Sequence, residues 1–242
     1  RATVQASVAP WPWSGSGAGV VAVVDTGVDF DHPALRGSVV PGLDLLSGGD
    51  GSELEGLEED VRFLINPTTT PILMREFDHL SNGHAPAWEP SVMASAAYPR
   101  IPEALGHGTM VAGAVRLVAP SAKILPVRAF GQDGTGRLYH VIRAIHGSED
   151  LGAKVVNLSL NSYVHSPELE ATTDEVASRG VILVASAGND GLVGTPSYPA
   201  AFGKVAGVAS VTPSGARSLY SNAGADVVMV GAPGEALLLP FP

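Results

Sequence analysis

Short β-branched apolar runs alternate along this chain with stretches of helical spacing, and that alternation restricts the fold more than any single residue does. The runs GVVAVVD (19–25), AKILPVRAF (122–130), AKVVNLSL (153–160), GVILVASAGN (180–189), KVAGVASVT (204–212) and ADVVMVGAP (225–233) are the predicted strands. Their nearly unbroken apolar character is that of parallel strands covered on both faces. Between them, GTMVAGAVRLV (108–118), RLYHVIRAIHGSED (137–150) and PELEATTDEVASR (167–179) have helical spacing, and Ser166-Pro167 reads as N-cap and first-turn residue. The fold class is therefore α/β, a mainly parallel sheet flanked by helices on both faces.

A chain of 242 residues with 45% hydrophobic content suits one such domain. The 29 Gly and 19 Pro fall between the apolar runs, as tight turns require. One segment breaks the rhythm: residues 46–105 read as an insertion, with an acidic run ELEGLEED (53–60), the turn cluster NPTTTP and the stretch FDHLSNGHAPAWEP. A structureless loop of that length is unusual, so short helices are expected near 53–64 and 72–80, and the acidic run is expected as a solvated helical face.

Charge and composition exclude several classes of partner. A net charge of −10, without any block of Lys or Arg, repels a phosphate backbone, so no nucleic acid is expected. The longest apolar runs are far short of the ~18–20 residues of a membrane helix, so no membrane partner is expected either. The absence of cysteine removes disulfides, thiolate metal sites and a thiol nucleophile.

In open parallel sheets the chemistry gathers where strands end. Asp25 and Asn189 end strands, and His107 stands just before a helix whose small residues allow close packing. Taken alone, Asp25-Thr26-Gly27 admits three readings: an aspartic-protease carboxylate, the acid of a Ser-His-Asp triad, or a turn without chemistry. Asp29, Asp31 and His32, and likewise Asp78, His79 and His84, read as exposed loop rather than as a metal cluster. Gly131, Gly134 and Gly136 read as a tight strand-to-helix turn, because their spacing fits no phosphate-binding fingerprint.

The segments VVDTGVDFDHPAL, GHGTMVAGAV, VVNLSL and ILVASAGNDG occur in the order and context found in subtilisin-like serine peptidases, the subtilases. The chain resembles that family over nearly its whole length apart from the insertion. The resemblance implies that Asp25 is the acid of a catalytic triad, His107 its general base and then acid, and Asn189 a side-chain donor to the oxyanion. It implies a peptide groove with Ser159, Leu160 and Asn161 as one edge and Ser186, Ala187 and Gly188 as the opposing wall. The small residues of that wall suggest a broad, apolar-leaning preference. Asn161 departs from the usual Gly and is expected to narrow the pocket.

The family carries its nucleophile in a Gly-Thr-Ser-like turn downstream of an APG segment. Here GAPG occupies 231–234, and no Gly-Thr-Ser follows before Pro242. Ser210, Ser214, Ser218 and Ser221 neither follow Gly-Thr nor open a predicted helix. The expectation is that the serine lies outside this chain and that the 242 residues alone are inactive. No cofactor or metal is expected: Ala34 replaces a calcium ligand of compact relatives, and AVRLVAP is too short for their calcium loop. The separation of Asp25 and His107, 82 positions, exceeds the roughly 30 of the family template by the insertion.

The resemblance further implies secretion, a protein or peptide substrate, and the chain's own prosegment or a C-terminal fragment as partners. Two alternatives are weighed at this level: a non-catalytic subtilisin-like module that binds peptides or a partner, and an aspartic protease. The latter requires a second Asp-Thr/Ser-Gly or a symmetric dimer and a mainly β chain, whereas no second copy occurs and helical segments interrupt the strands.

Overall fold

The computed structural model describes residues 17–54, 102–235 and 237–242. Among these, seven strands form one sheet: β1 (Gly19–Asp25), β2 (Leu43–Asp44), β3 (Ala122–Arg128), β4 (Val155–Leu158), β5 (Ile182–Ser186), β6 (Val205–Val211) and β7 (Val230–Pro233). All neighbours are parallel, in the order β2-β3-β1-β4-β5-β6-β7. Three helices connect them: α1 (His107–Val118), α2 (Leu138–Asp150) and α3 (Pro167–Ser178). Each of the six predicted strands and the three helices predicted between them is present, and the sheet is the parallel one that the buried apolar runs demand.

Alternation along β1 shows how both faces are covered. Val23 packs with Val28, Leu35, Ile124 and Ala112 of α1 on one face. Ala22 and Val24 join Leu125, Val127, Val156 and Leu158 against Val141, Ala144 and Ile145 of α2 and Leu169 and Val176 of α3 on the other. Burying each Val, Leu or Ile side chain stabilises the fold by about 1.5–3 kcal/mol, so Ile145→Ala should cost about 2–5 kcal/mol through transfer and cavity terms.

Helix α3 begins as its sequence indicates: the Ser166 hydroxyl accepts from the Leu169 N–H at 3.2 Å, Pro167 opens the first turn, and Glu168 and Glu170 complement the helix dipole. Helix α1 differs. Its N-cap is Gly106, without a side-chain cap and without an acidic residue in its own first turn. Its small residues do not all meet the sheet as expected: Ala112 does, but Gly113 makes room for Pro240, since a Cβ there would collide with that ring.

Strand β2 was not foreseen, and its two residues offer no periodicity to read. It is held by the buried pair Asp44–Arg128 at 3.1 Å, Arg128 closing β3 and Asp44 lying opposite it. Burial alone would push the Asp44 carboxyl up. The Ser47 hydroxyl, the N–H groups of Ser47 and Leu46 and the Arg128 charge together hold it below the usual carboxylate range.

The GQDGTG segment lies between β3 and α2 as a closed turn, with the Gly131 N–H bonded to the Thr135 carbonyl at 2.9 Å. Because β1 sits between β3 and β4, the chain leaves its first strand to one side and later returns to the other. That reversal opens a crevice at the carboxyl ends of β1, β3 and β4.

Candidate active site

The crevice forms a cleft of about 230 Å³ lined by Asp25, Thr26, Ala104, His107, Phe130, Gly134, Ser159, Leu160 and Asn161. Asp25 ends β1 and is 3% exposed, while the His107 ring is 43% exposed. His107 Nδ1 lies 2.6 Å from Asp25 Oδ1, which also accepts from the Thr26 N–H at 2.8 Å. A carboxylate can only accept, so the imidazole proton sits on Nδ1 and the Nε2 lone pair is left to take a proton from a neighbouring group. The hydrogen bond to Asp25 raises the imidazole above its ordinary pKa; burial opposes the shift, and the charges of Asp25 and Glu53 add to it.

Three residues from each of two segments interlock here. Beside the Asp25–His107 pair, the Thr26 and Thr109 hydroxyls both bond to the Glu53 carboxylate. Gly27 has φ 109°, and a Cβ on it would come within 2.8 Å of the Glu53 backbone. A Cβ on Gly108 would collide with the Gly27 carbonyl oxygen. Asp-Thr-Gly and His-Gly-Thr are thus matched residue by residue, the last two positions crossed: an acid with a base, two hydroxyls with one carboxylate, and two glycines allowing the close approach.

Glu53 corrects the sequence reading. The acidic run was expected to lie on a solvated helical face, but its first residue has 0% exposure and sits in a turn. The remainder of that run, and of the helices expected at 53–64 and 72–80, lies outside the described residues, as do Asp78, His79 and His84. Asp29 is a second correction. It is 8% exposed rather than a solvated turn residue, its N–H donating to Thr109 Oγ1 at 2.8 Å and its carboxylate accepting from the Asp31 N–H at 3.0 Å.

Beyond β4 the sheet edge opens a second cleft of about 380 Å³. Ser186, Ala187, Gly188 and Asn189 line it, together with Ser210 and Ser221; Ser159 borders both clefts. The structure brings Asp25, His107, Ser159, Leu160 and Asn161 to the first cleft and Ser186–Asn189 to the second. The two expected groove edges are neighbours, with the Ser186 hydroxyl donating to the Leu160 carbonyl at 3.4 Å. Asn189 is exposed, and its side-chain amide has no hydrogen bond among the described residues.

The backbone around Asn189 is nevertheless fixed by Asn222, a wholly buried residue that sequence reading passed over as part of a loop. Its amide donates to the Ala187 carbonyl at 3.1 Å and to the Tyr163 hydroxyl at 2.9 Å. Its carbonyl oxygen accepts from the N–H groups of Asp190 at 3.1 Å and Leu192 at 2.9 Å. Ser218 and Ser221 are buried, the Ser218 hydroxyl bonded to that of Ser210 in β6 and the Ser221 hydroxyl accepting from the Ser210 N–H and donating to the Asn222 carbonyl.

Comparison with known proteins identifies the family and the fold. Residues 16–239 match the model of the Subtilase family. Thermitase from Thermoactinomyces vulgaris is 32% identical over 96% of this chain, which spans 68% of that protein. The major intracellular serine protease of Bacillus subtilis is 28% identical over 92% of the chain and 60% of its own length. A solved cold-adapted subtilisin-like serine proteinase superposes over 94% of this chain and 67% of its own, with TM-score 0.68 and 24% identity, a likeness of fold. The length and position of the family match, together with the order of the Asp, His and Asn segments at the carboxyl edge of the sheet, place this chain in the subtilase family of serine peptidases.

Proposed function

We propose that the protein to which this chain belongs is a serine endopeptidase working through an Asp25-His107-Ser triad, with the serine supplied from outside these 242 residues. The observation that carries the reading is the 2.6 Å bond between His107 Nδ1 and Asp25 Oδ1. With Nδ1 so engaged, Nε2 takes the proton of the serine hydroxyl as its oxygen attacks the peptide carbonyl, then returns it to the leaving amine. The attack yields an acyl-enzyme that water hydrolyses. Asn189 donates its free amide to the oxyanion. Ser159, Leu160 and Asn161 pair with an extended substrate, and Ser186, Ala187 and Gly188 form the opposing wall.

A serine-directed fluorophosphonate tests this reading. The full-length product should become labelled on a serine in a Gly-Thr-Ser-like sequence beyond Pro242, and its His107→Ala variant and the isolated 242-residue chain should not. A full-length product that takes no label overturns the reading. Peptide binding without hydrolysis would then favour a non-catalytic groove. Secretion is proposed with the peptidase activity; since one relative is named intracellular, detection in the culture medium or in the cell lysate decides that point.

A further inference from the structure

Both oxygens of Glu53 meet only donors. Oε1 accepts from the Thr26 hydroxyl at 2.6 Å and the Gly106 N–H at 2.7 Å. Oε2 accepts from the Thr109 N–H at 3.3 Å and from the Thr109 hydroxyl. Each hydroxyl in turn accepts a backbone N–H, Thr26 from Gly108 at 3.1 Å and Thr109 from Asp29 at 2.8 Å, and keeps its single hydrogen free to donate to the carboxylate. The Gly106 and Thr109 N–H groups can only donate, so these partners suit the ionised form. Burial and the Asp25 charge raise the Glu53 carboxyl above the usual carboxylate range, and the hydrogen bonds from Thr109, Thr26 and Gly106 oppose that rise.

The carboxylate also supplies what α1 lacks. The helix has no side-chain cap and no acid of its own at its first turn, and Glu53 binds two of its orphan N–H groups from 53 positions upstream of Gly106. His107 is the first residue of that helix, where the positive end of the helix dipole disfavours an imidazolium. The backbone of Glu53 is itself anchored, its N–H donating to the Val28 carbonyl at 3.2 Å and its carbonyl accepting from the Gln132 amide at 3.1 Å.

We infer that Glu53 is a positioning residue: an ionised carboxylate that locks Thr26 to the first turn of α1, fixes the Asp25–His107 pair, and sets the field in which the imidazole takes up its proton. The charges acting on that ring are Asp25 from β1 and Glu53 from the loop after β2. The other residues lining its cleft, Thr26, Ala104, Phe130 and Gly134, and Ser159, Leu160 and Asn161 after β4, carry none. The inference concerns the state of His107 and stands without substrate; its bearing on catalysis rests on the peptidase reading.

The test is an NMR titration of the imidazole in the 242-residue chain, with the His107 signal identified by its absence from His107→Gln. Removing the Glu53 charge removes one influence that favours imidazolium, so a folded Glu53→Gln chain should titrate at a lower midpoint than wild type. A folded Glu53→Gln chain with an unchanged midpoint overturns the inference, because loss of the charge and loss of the hold on the Asp25–His107 pair would each lower it. If Glu53→Gln does not fold, the side-chain carboxyl carbon of Glu53 in the wild-type chain decides. A carboxylate shift at neutral pH upholds the inference, and a protonated carboxyl overturns it. A lowered midpoint alongside a full-length product that takes no fluorophosphonate keeps this inference and removes the peptidase reading.

Discussion

The two clefts along the carboxyl edge of the sheet are built on opposite plans. In the first, the functional ring is itself bound: His107 Nδ1 is held by Asp25, and the turn and helix that carry them are fastened together through Glu53. In the second, the Asn189 amide is unbound among the described residues, while the residues on either side of it are pinned by Asn222. On the proposed peptidase function, the difference follows from what each group has to do. A base needs a permanent partner to set its tautomer and charge. A donor awaiting a transient anion must stay unpaired, so its rigidity has to come from the backbone.

The sharpest way to break the first plan is Asp25→Asn in the full-length product. The substitution keeps the shape but removes the carboxylate, and kcat should fall about ten-thousand-fold, the scale seen when a triad imidazole takes the wrong tautomer. A loss below tenfold in a steady-state peptide assay would mean that His107 does not depend on Asp25. Asn189→Ala probes the second plan and should lower kcat by about a hundred- to a thousand-fold with KM little changed, the scale measured for side-chain oxyanion donors. Because that amide is exposed and unbonded, chemical denaturation should place the stability of Asn189→Ala within about 0.5 kcal/mol of wild type.

Asn222→Ala should behave in the reverse way. It strands the carbonyl of buried Ala187, and a buried polar group left unpaired costs about 1–3 kcal/mol, while the N–H groups of Asp190 and Leu192, on exposed residues, lose a partner that water can replace. Denaturant unfolding should therefore register a loss of at least about 1 kcal/mol. Amide exchange should quicken at Asp190 and Leu192 while the protection of β1 and β3 is kept. Equal stability, with unchanged exchange in that loop, would show that the backbone around Asn189 is held by something other than Asn222.

The contrast between the clefts also separates what was legible in the sequence from what was not. The strands, the helices and the segments carrying Asp25, His107 and Asn189 could be read because each is a local pattern: an apolar run covered on both faces, a helical period, a polar residue at a strand end. The side chains that fasten those segments could not. Glu53 opens a run of acids that by composition belongs in water, and only four donors from three distant positions, Thr26, Gly106 and Thr109, permit its burial. One local clue pointed that way: the helix at His107 starts after a glycine, with neither cap nor acid of its own, and so needs an anion from elsewhere. Asn222 follows Ser221 in what reads as an ordinary turn, and Asp44 lies in a strand of two residues. Burial that long-range pairing makes tolerable leaves no period in the sequence.

The smallest effect is the most specific to the comparison. The His107 imidazole is raised above its ordinary value, first by the hydrogen bond to Asp25. A group whose folded-state pKa is raised binds its proton more tightly in the native chain than in the unfolded one. The stability it contributes is then present in full below the ordinary value of about 6.5 and lost as the pH rises through the folded value. Asparagine at position 25 removes the hydrogen-bonded charge and with it the main source of the shift. Urea unfolding should therefore separate Asp25→Asn from wild type more widely near about pH 6 than near about pH 9, and only modestly, because the ring is 43% exposed and its charge is partly screened. A gap of equal size at both values would mean that Asp25 holds the ring without favouring its charge. Asn189→Ala is the control that ties this to the second cleft: its amide does not titrate, so its stability difference from wild type should be the same at both pH values.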